Sequence, residues 1–167
     1  MGRRLLPRNL PELYSYAIAI EREAAKRFAE LERFMRDTGI DHVADELEKI
    51  GREEREQYEL LSLGTAGRDL PELAGWEYAW HYMGPQADRA KAPTTTRETL
   101  ELALQTERRA LTFYADVAEH SPDGAVRAFA AEMAADEQRH LLRLELLLSR
   151  EPEAMPAAAA ADGLTLA

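Results

Sequence analysis

Apolar residues recur three or four positions apart along four long stretches of the chain, the spacing of a single buried helix face. The first stretch predicts a helix from about Pro11 to Arg36, with Asn9 or Leu10 as cap, Pro11 in the first turn and Gly39 ending it. Its inward stripe reads Tyr14, Ile18, Glu21, Ala24, Ala25, Phe28, Leu31, Met35. The second runs from about Asp41, as N-cap, to Leu63, with the stripe Val43, Leu47, Ile50, Glu54, Gln57, Leu61. The third starts near Thr95, where Thr95 and Glu98 read as a capping box, and ends near His120. Its stripe is Leu100, Ala103, Leu104, Glu107, Ala110, Leu111, Tyr114, Val117. The fourth follows Ser121-Pro122, read as cap and first helical residue, and continues to about Arg150. Its stripe is Val126, Phe129, Ala130, Met133, Glu137, His140, Leu141, Leu144, Leu147.

The first and third connections span a few residues, so each helix pair should fold as an antiparallel hairpin. The middle connection, about residues 64–94, is long enough for the second and third helices to run parallel. The expected architecture is an all-α four-helix bundle over residues 1–150 with one crossover. That crossover carries an aromatic patch, Trp76 to Tyr82, expected to cover the bundle or to form a subunit contact. Residues 151–167 are Pro- and Ala-rich and read as a disordered tail.

Each stripe is interrupted by a glutamate. Glu21, Glu54, Glu107 and Glu137 fall among apolar positions, where an ionised carboxylate is expensive unless it is paired or binds a cation. One such glutamate is explained by a misplaced face; four, one per helix and at matching depths, are not. Glu137 and His140, three apart, share a face and can serve one centre. Four carboxylates would be neutralised by two divalent ions, and without them would repel one another and hold protons. Oxygen donors with one imidazole suit iron or manganese, with zinc also possible. The two halves of the chain are similar to each other. Glu21-x-x-Ala24-x-x-x-Phe28 recurs as Glu107-x-x-Ala110-x-x-x-Tyr114, and Glu54-x-x-Gln57 corresponds to Glu137-x-x-His140, as in a duplicated hairpin.

Composition narrows the partners. The formal charge of -10 argues against nucleic acid and against an anionic membrane surface. No run of residues reaches the length needed to cross a bilayer. The chain has no cysteine, which excludes disulfides and thiolate-ligated zinc or iron. Residues Met1 to Leu10 contain Arg3, Arg4 and Arg8 but no apolar stretch of signal-peptide length, so the expected location is cytoplasmic.

The ordered set of glutamates resembles the ferritin-like di-iron carboxylate proteins, and most closely their rubrerythrin branch. Those proteins take one glutamate from each of two helices and Glu-x-x-His from each of the other two. Glu21 and Glu107 match the single glutamates, and Asp136-Glu137-Gln138-Arg139-His140 is similar to the fourth-helix motif. Glu53-Glu54-Arg55-Glu56-Gln57-Tyr58 is similar to the second-helix motif, with Gln57 in place of the histidine. The resemblance covers about residues 10–150. It implies two iron ions as cofactor and oxidation of ferrous iron, or reduction of peroxide or oxygen, with Glu54 and Glu137 as bridging, catalytic carboxylates. It also implies an external electron donor, because no rubredoxin segment is present. Ala110 stands where rubrerythrins usually carry a further glutamate, a departure from the peroxidase pattern.

Several readings stay open at this level. Gln57 offers a weak amide-oxygen ligand, or a hydrogen bond to Glu54 or to a metal-bound water. Asp136 either orients the His140 ring from behind or is a solvated helix charge. Tyr58 and Tyr114, with Tyr14, either neighbour the metals or simply fill the core. Glu53 and Glu56 flank the stripe and are expected to be solvated. A homodimer is expected. The alternatives to an enzyme are a binding or structural bundle with a degenerate metal site, and iron storage or encapsulated cargo with Gly163-Leu164-Thr165-Leu166 as a docking peptide.

Overall fold

The computed structural model describes residues 6–73 and 92–152, and these contain four helices. They are α1 (Leu10–Asp37), α2 (Asp41–Gly64), α3 (Thr96–His120) and α4 (Gly124–Arg150). The aromatic patch of the crossover, with His81, and the tail from residue 153 lie outside the described residues.

The helix boundaries have local causes. Asn9 caps α1 by accepting from the Glu12 N–H at 3.0 Å, with Pro11 at the start of the helix. At its other end Gly39 adopts φ +76°, a conformation glycine tolerates. There its N–H donates to Arg36 O and the Ile40 N–H to Met35 O, which closes the turn into α2. Two capping expectations change. Ile40, with no side-chain cap, precedes α2, so Asp41 is its first residue rather than its cap. Asp123 caps α4 through Ala125 and Val126, while Ser121 ends α3. Asp123 occupies that role because a carboxylate two residues nearer the helix can reach both free N–H groups. Thr95 caps α3 by accepting from the Glu98 N–H, and the Glu98 carboxylate accepts from the Thr94 N–H and hydroxyl.

The hairpins α1/α2 and α3/α4 pack face to face. Residues 13–20 of α1 share a core with residues 110–117 of α3 and 126–133 of α4. Residues 28–35 of α1 share a second core with 43–50 of α2, 100–104 of α3 and 141–144 of α4. Numbers rise together in α2 and α3, and in α1 and α4. The second and third helices are therefore parallel, which the long crossover permits. At one point α1 and α2 come unusually close: a Cβ on Gly51 would sit 3.0 Å from the Phe28 Cβ.

In α1 the buried face above Glu21 is Leu13, Ala17 and Ile20, with Tyr16, rather than Tyr14 and Ile18. Tyr14 is half-buried and meets the edge of Phe129 at 5.2 Å. Elsewhere Ala25, Leu111, Phe129 and Leu147 sit at the margin of the core.

A candidate metal centre between two apolar layers

The two cores are separated by one polar layer. Along α1, α3 and α4 the apolar run of one core stops, a glutamate follows, and the apolar run of the other core begins; in α2 the run stops at Glu54 and only the partly buried Leu61 follows. Glu21, Glu54, Glu107 and Glu137 are at most 2% exposed and His140 is 5% exposed. Helical spacing enforces this placement, because a residue three or four positions from two core residues shares their face whatever its polarity.

His140 is the centre of the cluster. Its Nδ1 lies 2.7 Å from Glu54 Oε1, 3.2 Å from Glu107 Oε2 and 3.8 Å from Glu137 Oε2. A nitrogen carries at most one proton, and the one aligned hydrogen bond from Nδ1 goes to Glu107. Both oxygens of Glu54, Oε1 of Glu107 and Oε2 of Glu137 are buried without a hydrogen-bond partner. Orphaned carboxylate oxygens facing one another in an apolar interior are a deficit that a cation fills. One ligand atom each from Glu54, Glu107, Glu137 and His140 lies within 4.8 Å of the others. Residue chemistry and placement thus fit a divalent metal.

The electrostatics point the same way. Burial pushes the Glu21, Glu54, Glu107 and Glu137 carboxyls above their ordinary range, and neighbouring carboxylates push them further. For Glu21 and Glu137 the rise is large. Burial by itself would lower His140, but its contacts with Glu107, Glu137 and Glu54 outweigh that and raise it, so the metal-free ring is a cation. Tyr114 is fully buried and donates to Glu21 Oε1 at 2.6 Å. Burial, with the Glu21 charge beside it, raises the phenol well above its usual value, so it stays a donor.

The remaining expected residues lie differently. Gln57 turns away from the glutamates: its amide nitrogen donates to Asp136 Oδ2 at 2.9 Å and approaches Met133 Sδ. Since a carboxylate only accepts, the NH2 end must face Asp136. Asp136 accordingly does not orient His140; it is taken by Gln57 and by Arg139, its neighbour one turn on. Tyr58 is half-buried on α2 and makes no hydrogen bond with the cluster. Behind the imidazole stands Glu53, read from the sequence as solvated. Its Oε2 is 2.9 Å from His140 Nε2, and both its oxygens accept from Arg143 Nη1, at 2.8 and 3.0 Å. Partial burial works against it, yet Arg143 and His140 hold the Glu53 carboxyl below its ordinary range. A signal for this role was available: Glu46, Glu53 and Gln57 line one edge of α2, and Asp136, His140 and Arg143 one edge of α4, at three, four or seven positions apart.

A parallel-α2/α3 bundle enclosing four carboxylates and an imidazole in its middle defines the ferritin-like class. Residues 12–148 match the rubrerythrin family. The chain belongs to that family. Among solved structures it is similar to an uncharacterized conserved protein from Magnetospirillum magnetotacticum MS-1, with 25% identity and a TM-score of 0.74. That match covers 89% of this chain and 99% of the other. No curated protein matches the sequence. Among the described residues, no helix is long and apolar enough to cross a membrane.

Proposed function

We propose that the protein is a di-metal oxidoreductase that oxidises ferrous iron or reduces peroxide or oxygen within the helical bundle. The observation that carries this reading is the set of orphaned, buried carboxylate oxygens around a single imidazole nitrogen. Glu54, Glu107, Glu137 and His140 would hold one ion, and Glu21 with Glu54 and Glu137 would hold the second. Two iron ions, or manganese or zinc in their place, would supply the Lewis acidity; iron or manganese would add the redox capacity that the side chains lack. The chain contributes geometry, a buried setting and proton donors. Tyr114 fixes Glu21 through its hydroxyl, and His140 bridges the inner carboxylates to the rim. Electrons would come from an external donor, and the working unit would be a cytoplasmic homodimer.

A second reading has its own observation. Gln57 is committed to Asp136, so the Glu21 side lacks an imidazole, and the tight four-ligand cluster does not include Glu21. On this reading the bundle holds one ion and is a binding or storage module. Metal analysis of protein purified without chelators separates the two: two ions per chain for the first, one for the second. Stopped-flow mixing of ferrous-loaded protein with peroxide and with oxygen then tests the activity; oxidation no faster than that of free iron in both would exclude it. Glu137→Ala should remove bound ion altogether, and retention of full metal content by that variant would defeat both readings.

A further inference from the structure

We propose that Glu53, anchored by Arg143, positions the His140 ring so that Nδ1 is presented to the metal. This rests on the metal reading above. An imidazole has two nitrogens, and which one binds a metal is set by what the other one meets. Here Nδ1 lies within 4 Å of three buried carboxylates, while Nε2 lies 2.9 Å from Glu53 Oε2 on the opposite side. With Nε2–H donating to Glu53, the proton that a metal displaces is the one on Nδ1, and the freed lone pair faces inward. Glu53 could not hold this place unaided, because its side chain is 47% exposed. Arg143 Nη1 spans both of its oxygens, and Arg143 Nη2 reaches Glu46 Oε2 at 3.5 Å. The chain Glu46–Arg143–Glu53–His140 therefore runs from the surface into the site across the α2/α4 seam. Gln57 and Asp136 close the same seam one turn along. The outer carboxylate thus belongs to α2, not to α4 as the proximity of Asp136 to His140 in sequence suggests.

The test uses the full chain, zinc and three variants: Glu53→Ala, Glu53→Gln and Glu56→Ala. Glu56 is exposed on the same helix and carries the same charge but bonds neither His140 nor Arg143, so it controls for the general loss of negative charge. Calorimetric zinc titration should show affinity about 10- to 100-fold weaker in Glu53→Ala. It should be nearly unchanged in Glu56→Ala, and largely recovered in Glu53→Gln, whose amide oxygen still accepts from Nε2–H. In 15N NMR of the zinc-loaded wild type, His140 should keep a slowly exchanging Nε2–H, which Glu53→Ala loses. Equal losses in Glu53→Ala and Glu56→Ala, or wild-type affinity and an unchanged ring signal in Glu53→Ala, would overturn the positioning role. Wild-type protein that takes up no zinc, iron or manganese would instead remove the metal reading itself, and this inference with it.

Discussion

Tyr114 shows how one side chain serves both core and site. Its ring packs in the first apolar layer beside Phe113, and its hydroxyl ends on Glu21 Oε1. Tyr114→Phe keeps the ring and removes the donor, leaving a buried carboxyl oxygen unpaired. It should lower stability by about 1–3 kcal/mol, read as a lower denaturant midpoint with unchanged slope. The four glutamates and His140 were legible in the sequence because a charge inside an apolar stripe is anomalous whatever surrounds it. Gln57 and Glu53 were not, because their stripe positions do not say which neighbour a long side chain will choose. Gln57 donates to Asp136 on α4 instead of reaching the inner carboxylates. Glu53, while still exposed, turns to a guanidinium and an imidazole on another helix.

Among the elements, the α1/α2 hairpin depends on a small residue. Gly51 lies within a long helix, where glycine is disfavoured by about 1 kcal/mol relative to alanine. Its place is explained by Phe28, whose Cβ leaves no room for a larger neighbour. Gly51→Val should destabilise by about 1–3 kcal/mol through overpacking, and a thermal melt showing unchanged or raised Tm would contradict this close approach. Helix number, order and approximate ends followed from periodicity and breakers, since a buried face repeats over many turns and Gly39 and Pro122 interrupt it. The caps of α2 and α4 did not follow so closely. Asp41 and Ser121 are both good capping types, but the chain geometry at each turn, one residue earlier or two later, determines which group meets the free N–H groups.

For the whole molecule, the polar layer sets the dependence of stability on pH. Glu21, Glu54, Glu107 and Glu137 have folded-state pKa values above the ordinary 4.5. Such groups contribute stability that is fully present below pH 4.5 and lost as pH rises through the raised values. His140, raised above its ordinary 6.5, contributes fully below pH 6.5 and loses that contribution as pH rises above it towards the raised value. The rim and surface carboxyls that are lowered, Glu12, Glu46 and Glu53, lose stability only as pH falls below 4.5. The metal-free protein should therefore have a Tm that falls between about pH 5 and pH 8. A saturating divalent metal should abolish that fall by stabilising the ionised carboxylates. A metal-free Tm flat or rising across this range would show that the buried carboxylates are not in repulsive contact.

The sequence by itself determined the all-helical bundle, the pairing of helices into two hairpins and the depth at which five ionisable side chains enter the core. These are consequences of spacing along one helix, and spacing is a local property. Only the tertiary structure decided which side chains meet across helices: Tyr114 with Glu21, Gln57 with Asp136, and His140 held between inner carboxylates and Glu53. Long polar side chains reach several neighbours at similar cost, so their choice depends on where the other helices have placed theirs.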